Sequence, residues 1–265
     1  MTIRSIGPLL KEWRAQRRMS QLDLATATGI SQRHISFVET GRSRPSRELV
    51  LHLAESLDVP LRDRNVLLHA AGFAPQYGET PLDDPDMSSV RHAIELMVDR
   101  HDPYPAVVLD RHWNLIRANP AALRLTMEWA APEAIEAAAG NLLRLLMHPA
   151  GYRPHILNFE EVASSTAVRL HRELIADPHD AILRDLTREV MDDPSLPVSA
   201  RAPAAGATPP FVLPIHLQRD DVEVCMFSTL ATIGSPLDIT VQELVIELFF
   251  PADAASETYF RTAAE

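Results

Sequence analysis

The stretch that most constrains this chain is Ser20–Gly41, SQLDLATATGISQRHISFVETG. It encodes two short helices joined by a tight turn. Ser20 is an N-cap whose hydroxyl takes a free backbone N–H at the start of a helix over 21–28. Gly29 stands where that helix must stop, in the left-handed conformation that only glycine adopts cheaply. Ser31 caps a second helix over 32–40, and Gly41 ends it. Leu24, Ala25, Ile35 and Val38 form the apolar face, and Ile30 plugs the turn. Exposed near the N-terminal end of the second helix are Gln32, Arg33, His34, Ser36 and Phe37.

That layout suits a helix-turn-helix, whose second helix lies in the major groove with its N-terminal residues on base edges. Arg33 has the geometry for bidentate bonds to guanine, and Gln32 for the same to adenine. Ser36 suits a base edge and Phe37 a thymine methyl; Ser31 and His34 complete the candidate DNA-facing set. Gln21, at a helix N-terminus, is placed to hold a phosphate, and Arg42 and Arg44 suit backbone contacts. The plainer alternative is that these are solvated surface residues. Charge speaks for DNA. The chain carries −11 overall, yet residues 1–75 hold 11 basic against 7 acidic groups and the remainder 14 against 29. A basic head on an acidic body fits a DNA-binding module fused to another function.

Residues 6–71 resemble the five-helix DNA-binding domains of the Xre or phage-repressor class. The matching positions include Leu10, Trp13, Arg14, Ser20-Gln21, Leu24-Ala25, Gly29-Ile30-Ser31, Ile35, Glu39-Thr40-Gly41, Pro45-Ser46 and Leu53-Ala54. The resemblance implies a helix 1 over 7–18, a capped helix 4 after Ser46 and a helix 5 over 61–71. It also implies a structural ion pair between Arg14 and Glu39.

The stretch 72–86, rich in Pro, Gly and acids, is expected to be a linker, followed by a helix over 87–100. Strands are expected over 106–110 and 112–118, then a helix opened by Asn119-Pro120, and helices over 141–147, 158–176 and 179–191. The segment 194–210 is expected to be loop, and three strands over 211–218, 222–233 and 242–250 close the chain. Strand alternation puts Trp113, Leu115 and Arg117 on one face, with Trp113 and Leu115 toward the interior. In the last strand Leu244, Ile246, Leu248 and Phe250 form a wholly apolar face, which the helices over 158–176 and 179–191 are expected to cover.

This second part resembles the MmyB-like ligand-binding domain, a PAS-like module that follows an Xre head in bacterial regulators. The resemblance is carried by Gly72-Phe73-Ala74-Pro75, Pro103-Tyr104-Pro105, Asp110-Arg111-His112-Trp113-Asn114, Asn119, Asn141, His148-Pro149, Arg153-Pro154, Arg169-Leu170-His171 and Phe249-Phe250-Pro251. It implies a transcription regulator with a small-molecule sensor and a fatty-acid-like ligand. On that basis Arg153, Arg169 and His171 are candidates to hold a ligand carboxylate, or equally to pair with local acids including Glu160, Glu161 and Glu173; Trp113 and Leu115, from strand alternation, and Phe227 are candidates to line a pocket, the plainer alternative being an ordinary filled core.

No run of about 18 apolar residues appears, so no membrane partner is expected. One cysteine, Cys225, fits a reducing cytoplasm. No catalytic or metal-binding pattern stands out among the 11 histidines. No catalytic residue, metal or cofactor is therefore expected. The reading is an α+β chain: a DNA-binding head at 1–75, a linker and connecting helix at 76–100, and a ligand-binding domain at 101–265. Its expected partners are an inverted-repeat operator in double-stranded DNA, a second copy of the chain, and a small hydrophobic effector such as a fatty acid. The alternative is a C-terminal domain that serves only dimerisation or a protein partner.

Overall fold

The computed structural model describes residues 5–177, 179–194, 196, 198, 212–234 and 236–263. The chain divides into two compact units, Met1–Thr80 with Ser235–Gln242, and Pro81–Gly234 with Glu243–Glu265.

The first unit holds five helices: α1 (Ile6–Gln16), α2 (Gln21–Thr28), α3 (Gln32–Glu39), α4 (Arg47–Ser56) and α5 (Leu61–Ala70). Their core joins Leu10 and Trp13 of α1 to Leu24, Ile35, Val50, Leu53 and Leu68. The local signals act as expected. Ser20 Oγ accepts from Asp23 N at 3.1 Å while Asp23 accepts from Ser20 N at 2.7 Å, a reciprocal capping box. Gly29 has φ 70°, and Ser31 Oγ accepts from His34 N at 3.3 Å. Helix α1 crosses the end of α3 so closely that a Cβ on Gly7 would overlap the Glu39 carbonyl oxygen.

Part of the expected linker is held within this unit. Asn65 of α5 accepts from Gln76 N and Tyr77 N and donates to the Tyr77 carbonyl. The chain between the fourth and fifth strands also contributes. Asp238 accepts from the backbone N–H of Thr80 at 3.1 Å and from its hydroxyl at 2.7 Å, and Leu61 N donates to Gln242 Oε1 at 2.8 Å. The short helix α12 (Ile239–Glu243) lies in this excursion. Nothing in the local pattern around Asp238 foretells a partner so far away in sequence.

The second unit is built on a five-stranded antiparallel sheet in the order β2-β1-β5-β4-β3. Its strands are β1 (Ala106–Leu109), β2 (Leu115–Ala118), β3 (Ile215–Arg219), β4 (Val222–Ala231) and β5 (Val245–Pro251). Phe211, expected to start the third strand, lies outside the described residues, as does most of the expected loop at 194–210. Around the sheet lie α6 (Ser88–Asp99), α7 (Pro120–Trp129), α8 (Pro132–Ala138), α9 (Leu142–Met147), α10 (Phe159–Ala176), α11 (Ala181–Met191) and a final α13 (Ala254–Thr262). Helices α8 and α13 are additions to the sequence reading.

The two sheet faces are covered the other way round from expectation. Helix α6, read as a connector, packs Ile94 and Val98 on Ala106, Val108 and Ile246, the wholly apolar face. The face bearing Val107 and Phe249 meets α7, α9, α10 and α11. On β5 this is the face of Glu247, which pairs across from Val107. The second strand also starts later than expected. Asp110 Oδ1 accepts from His112 N at 2.7 Å and Asn114 N at 2.9 Å, closing a turn that puts Trp113 at φ 65°. Strand pairing shifts register at Leu109, so simple alternation fails: Trp113 is buried while Leu115 is 41% exposed.

Candidate functional site

In the first unit, Ser31, Gln32 and Arg33 are exposed at the start of α3, and His34, Ser36 and Phe37 are half-buried along it. The Arg33 guanidinium lies 5.2 Å from the Phe37 ring centroid, a cation–π contact that orients its fork without using its donors. Arg42 and Arg44 are exposed in the loop after α3. Gln21 is half-buried, and its amide nitrogen donates to Glu39 Oε2 at 2.8 Å. Glu39 in turn receives Arg14 Nε at 2.7 Å and its second nitrogen at 3.0 Å. This is the structural pair expected from the sequence, with Gln21 as a third member. Burial pushes the Glu39 carboxyl up, but the hydrogen bonds from Arg14 and Gln21 outweigh it and hold the group below the ordinary carboxylate range.

In the second unit a cavity of about 90 Å³ opens between the Phe249 face of the sheet and the helices over it. Val107, Trp113, Leu125, Leu146, Met226 and Phe249 are among its apolar walls, and the polar side chains reaching it include Glu247, Thr126 and Tyr152. Glu247 is 7% exposed. Behind the wall, Arg169 of α10 donates to Glu173 at 3.0 Å and, at a long 3.5 Å, to Glu247. The Arg169 guanidinium sits 4.0 Å over the Trp113 ring, whose Nε1 donates to Glu173 at 3.1 Å. Tyr152 shares a 2.8 Å hydrogen bond with Thr126, and burial pushes its phenol up to about 12.

Of the residues singled out for the ligand, Trp113 lines this cavity and Arg169 stands one residue behind it. Leu115 and His171 are on the surface. Arg153 is ion-paired with Asp193 at 3.1 Å and lies over Phe159. Phe227 stacks on Phe250 at 5.6 Å, while its neighbour Met226 faces the cavity. The sequence reading missed Glu247, Thr126 and Tyr152. For Glu247 a signal existed: it is the one charge inside the apolar run VIELFF. Thr126 and Tyr152 carried none, because their roles follow from helices that meet only in the folded chain.

A second polar cluster is structural. Arg111 is held by Asp177, Asp180 and, at 2.7 Å, Glu243, and His112 adds a 2.9 Å contact to Asp180. Burial would pull the Arg111 guanidinium down, but Glu243 and Asp177 hold it raised. Among the described residues, no group of three or more His, Cys, Asp or Glu is placed to hold a metal ion, and no helix is long and apolar enough to cross a membrane.

Residues 10–63 match the helix-turn-helix family model. Uncharacterized HTH-type transcriptional regulators of Mycobacterium bovis and Mycobacterium tuberculosis are 31% identical over 102 residues, 38% of this chain. The match spans 40% of those relatives' length. A solved structure of an RNA-binding light-oxygen-voltage receptor aligns over 96% of this chain and 61% of its own, with 13% identity and a TM-score of 0.30. Residues 90–263 match the MmyB-like transcription regulator ligand binding domain; that match takes in most of the chain, and this chain belongs to that family, with an Xre-like helix-turn-helix ahead of the domain.

Proposed function

We propose that this chain is a cytoplasmic, homodimeric transcription regulator. Its α3 reads an inverted-repeat operator, and its second unit senses a small hydrophobic effector with an acyl-like tail. The strand order 2-1-5-4-3 supports a PAS-like reading of that unit. The observation that carries the effector reading is the apolar cavity beside Trp113 and Phe249. An engineered cavity of about 150 Å³ takes benzene. A cavity of about 90 Å³ therefore takes a handful of heavy atoms as it stands, and a longer chain enters only as the walls part. Short fatty-acid-like tails thus fit before long ones.

The test is thermal shift of the full chain against straight-chain fatty acids of graded length, beside the variant Leu146→Trp, which fills the cavity. A bound ligand stabilises by mass action, about 2.7 kcal/mol at a hundredfold excess over its Kd. A shift in the wild type that disappears in Leu146→Trp is the expected result. Equal shifts in both would place the ligand elsewhere.

The rival reading, a second unit serving only dimerisation, draws on the edge strand β2, where Ile116 is 43% exposed, and on Met127 of α7, 71% exposed. Absence of any ligand shift, with a dimer that dissociates on Ile116→Lys, would favour it.

A further inference from the structure

Strands β4 and β5 are antiparallel neighbours, with Ala231 opposite Ile246. Such a pair is normally closed by a turn of about two to five residues. Here the chain instead enters the first unit and leaves it only after Gln242. Inside that unit it is firmly held. Ile239 N donates to the Gly78 carbonyl at 2.8 Å, beside the bonds that Asp238 takes from Thr80. A Cβ on Gly78 would stand only 3.1 Å from Asp238 Oδ2. Ile239 and Val241 are buried. Gln242 completes α5. That helix begins after Pro60, which supplies no side-chain cap, and the N–H of its first residue has no partner within the helix. Gln242 Oε1 accepts from that N–H, on Leu61, from 181 residues along the chain.

The next residue is anchored in the second unit. Glu243 accepts from Arg111 Nη1 at 2.7 Å. Arg111 also holds Asp177, the C-cap of α10, and Asp180, the N-cap of α11. Those helices pack Ala167, Leu170 and Leu186 into one core with Val107 and Trp113, which are walls of the cavity. Within α12, Gln242 N donates to the Asp238 carbonyl at 3.1 Å, so Glu243 cannot shift without taking Gln242 with it. We propose that Asp238–Glu243 is a strap through which the α10–α11 junction sets the stability of the start of α5. Parting α10 from α11, as a long chain in the cavity requires, moves Arg111 and Glu243, and the strap carries that change to the Leu61 and Thr80 hydrogen bonds. Its use in sensing rests on the function proposed above, but the coupling itself needs no effector.

The experiment is residue-resolved hydrogen exchange of the full chain, wild type beside Glu243→Ala, with no ligand added. Arg111 keeps Asp177 and Asp180 in that variant, so no buried charge is stranded. The expected result is exchange roughly fivefold or more faster at the Leu61 and Thr80 amides, with the α1–α3 amides unchanged. Unchanged exchange at Leu61 and Thr80 overturns the strap. Equal acceleration across all five helices also overturns it, because that is a general loss of stability. Coupling is reciprocal, so Gln242→Ala should speed exchange at the Leu183 amide, which donates to Asp180 at 3.0 Å. That reverse measurement decides the matter if Glu243→Ala folds poorly, and an unmoved Leu183 amide overturns the strap. Because no effector takes part, failure here leaves the cavity as the effector site, and failure of every fatty acid to bind leaves the strap standing.

Discussion

Glu39 collects three hydrogen bonds in a nearly closed site, where its side chain is 3% exposed and that of Arg14 13%. The knot ties α1, α2 and α3 together, so it sets the angle at which α3 is presented. Removing one partner of such a pair leaves the other charge buried, which costs about 3–5 kcal/mol. Glu39→Ala should therefore loosen the helix-turn-helix without any DNA present. Hydrogen exchange of the α1–α3 amides in the full chain is the measurement, and unchanged protection there would show that the knot contributes nothing. The pH dependence has a definite sign. Glu39 titrates lower in the folded chain than in the unfolded one. Its contribution is thus complete above the ordinary glutamate range, about pH 4, and is lost as pH falls through the folded value. Protection of these amides should fall on acidification below about pH 4, and Glu39→Ala should flatten that fall.

At the scale of elements, α3 is the proposed reading helix, and for that role its rigidity matters as much as its side chains. Its start is set by the Ser31 cap, and Gly29 at φ 70° turns the chain from α2 into α3. Arg33, braced over Phe37, is the side chain best placed for bidentate base contact. Arg33→Ala should cost about 1–3 kcal/mol of operator affinity and relax discrimination at one base position. Arg33→Lys should rescue little, because an ammonium cannot form the planar fork. Quantitative footprinting on a single-position operator library reads both. Unchanged affinity and preference in Arg33→Ala would mean another element reads the bases.

For the whole molecule, the charge division matters most. An acidic body repels DNA, so under the proposed function the basic head does the binding, and the proposed second copy would double its reach. Two heads on a two-fold axis should protect an inverted repeat with half-site centres about 10 bp apart, or a multiple of that. Arg44→Ala should weaken binding to every sequence alike and lower the salt dependence by about one unit of slope. Gel-shift titrations across a salt series, with sedimentation to establish stoichiometry, check this. Protection of a single unrepeated half-site by a monomer would refute the dimer.

The head was legible in the sequence because its signals are local. A serine cap, a glycine stop and apolar residues at i, i+3 and i+4 each act within one or two turns, and Ser20, Gly29, Ser31 and the Arg14–Glu39 pair all stand as read. The sheet was legible only as strands. On β5 both faces are apolar enough to be buried, so alternation cannot say which one α6 will cover. That was decided by the β1–β5 register, which sets Ile246 beside Val108 and Glu247 beside Val107. The turn at Asp110–Asn114 then bent Trp113 inward and left Leu115 outside. Likewise, Asp238 reaches Thr80 across 158 residues of chain, a pairing no local rule encodes. Sequence alone determined where the helices of the head form and where they end. Tertiary structure alone decided which face became a cavity wall and that a carboxylate would stand in it, because burial is a property of what packs against a residue.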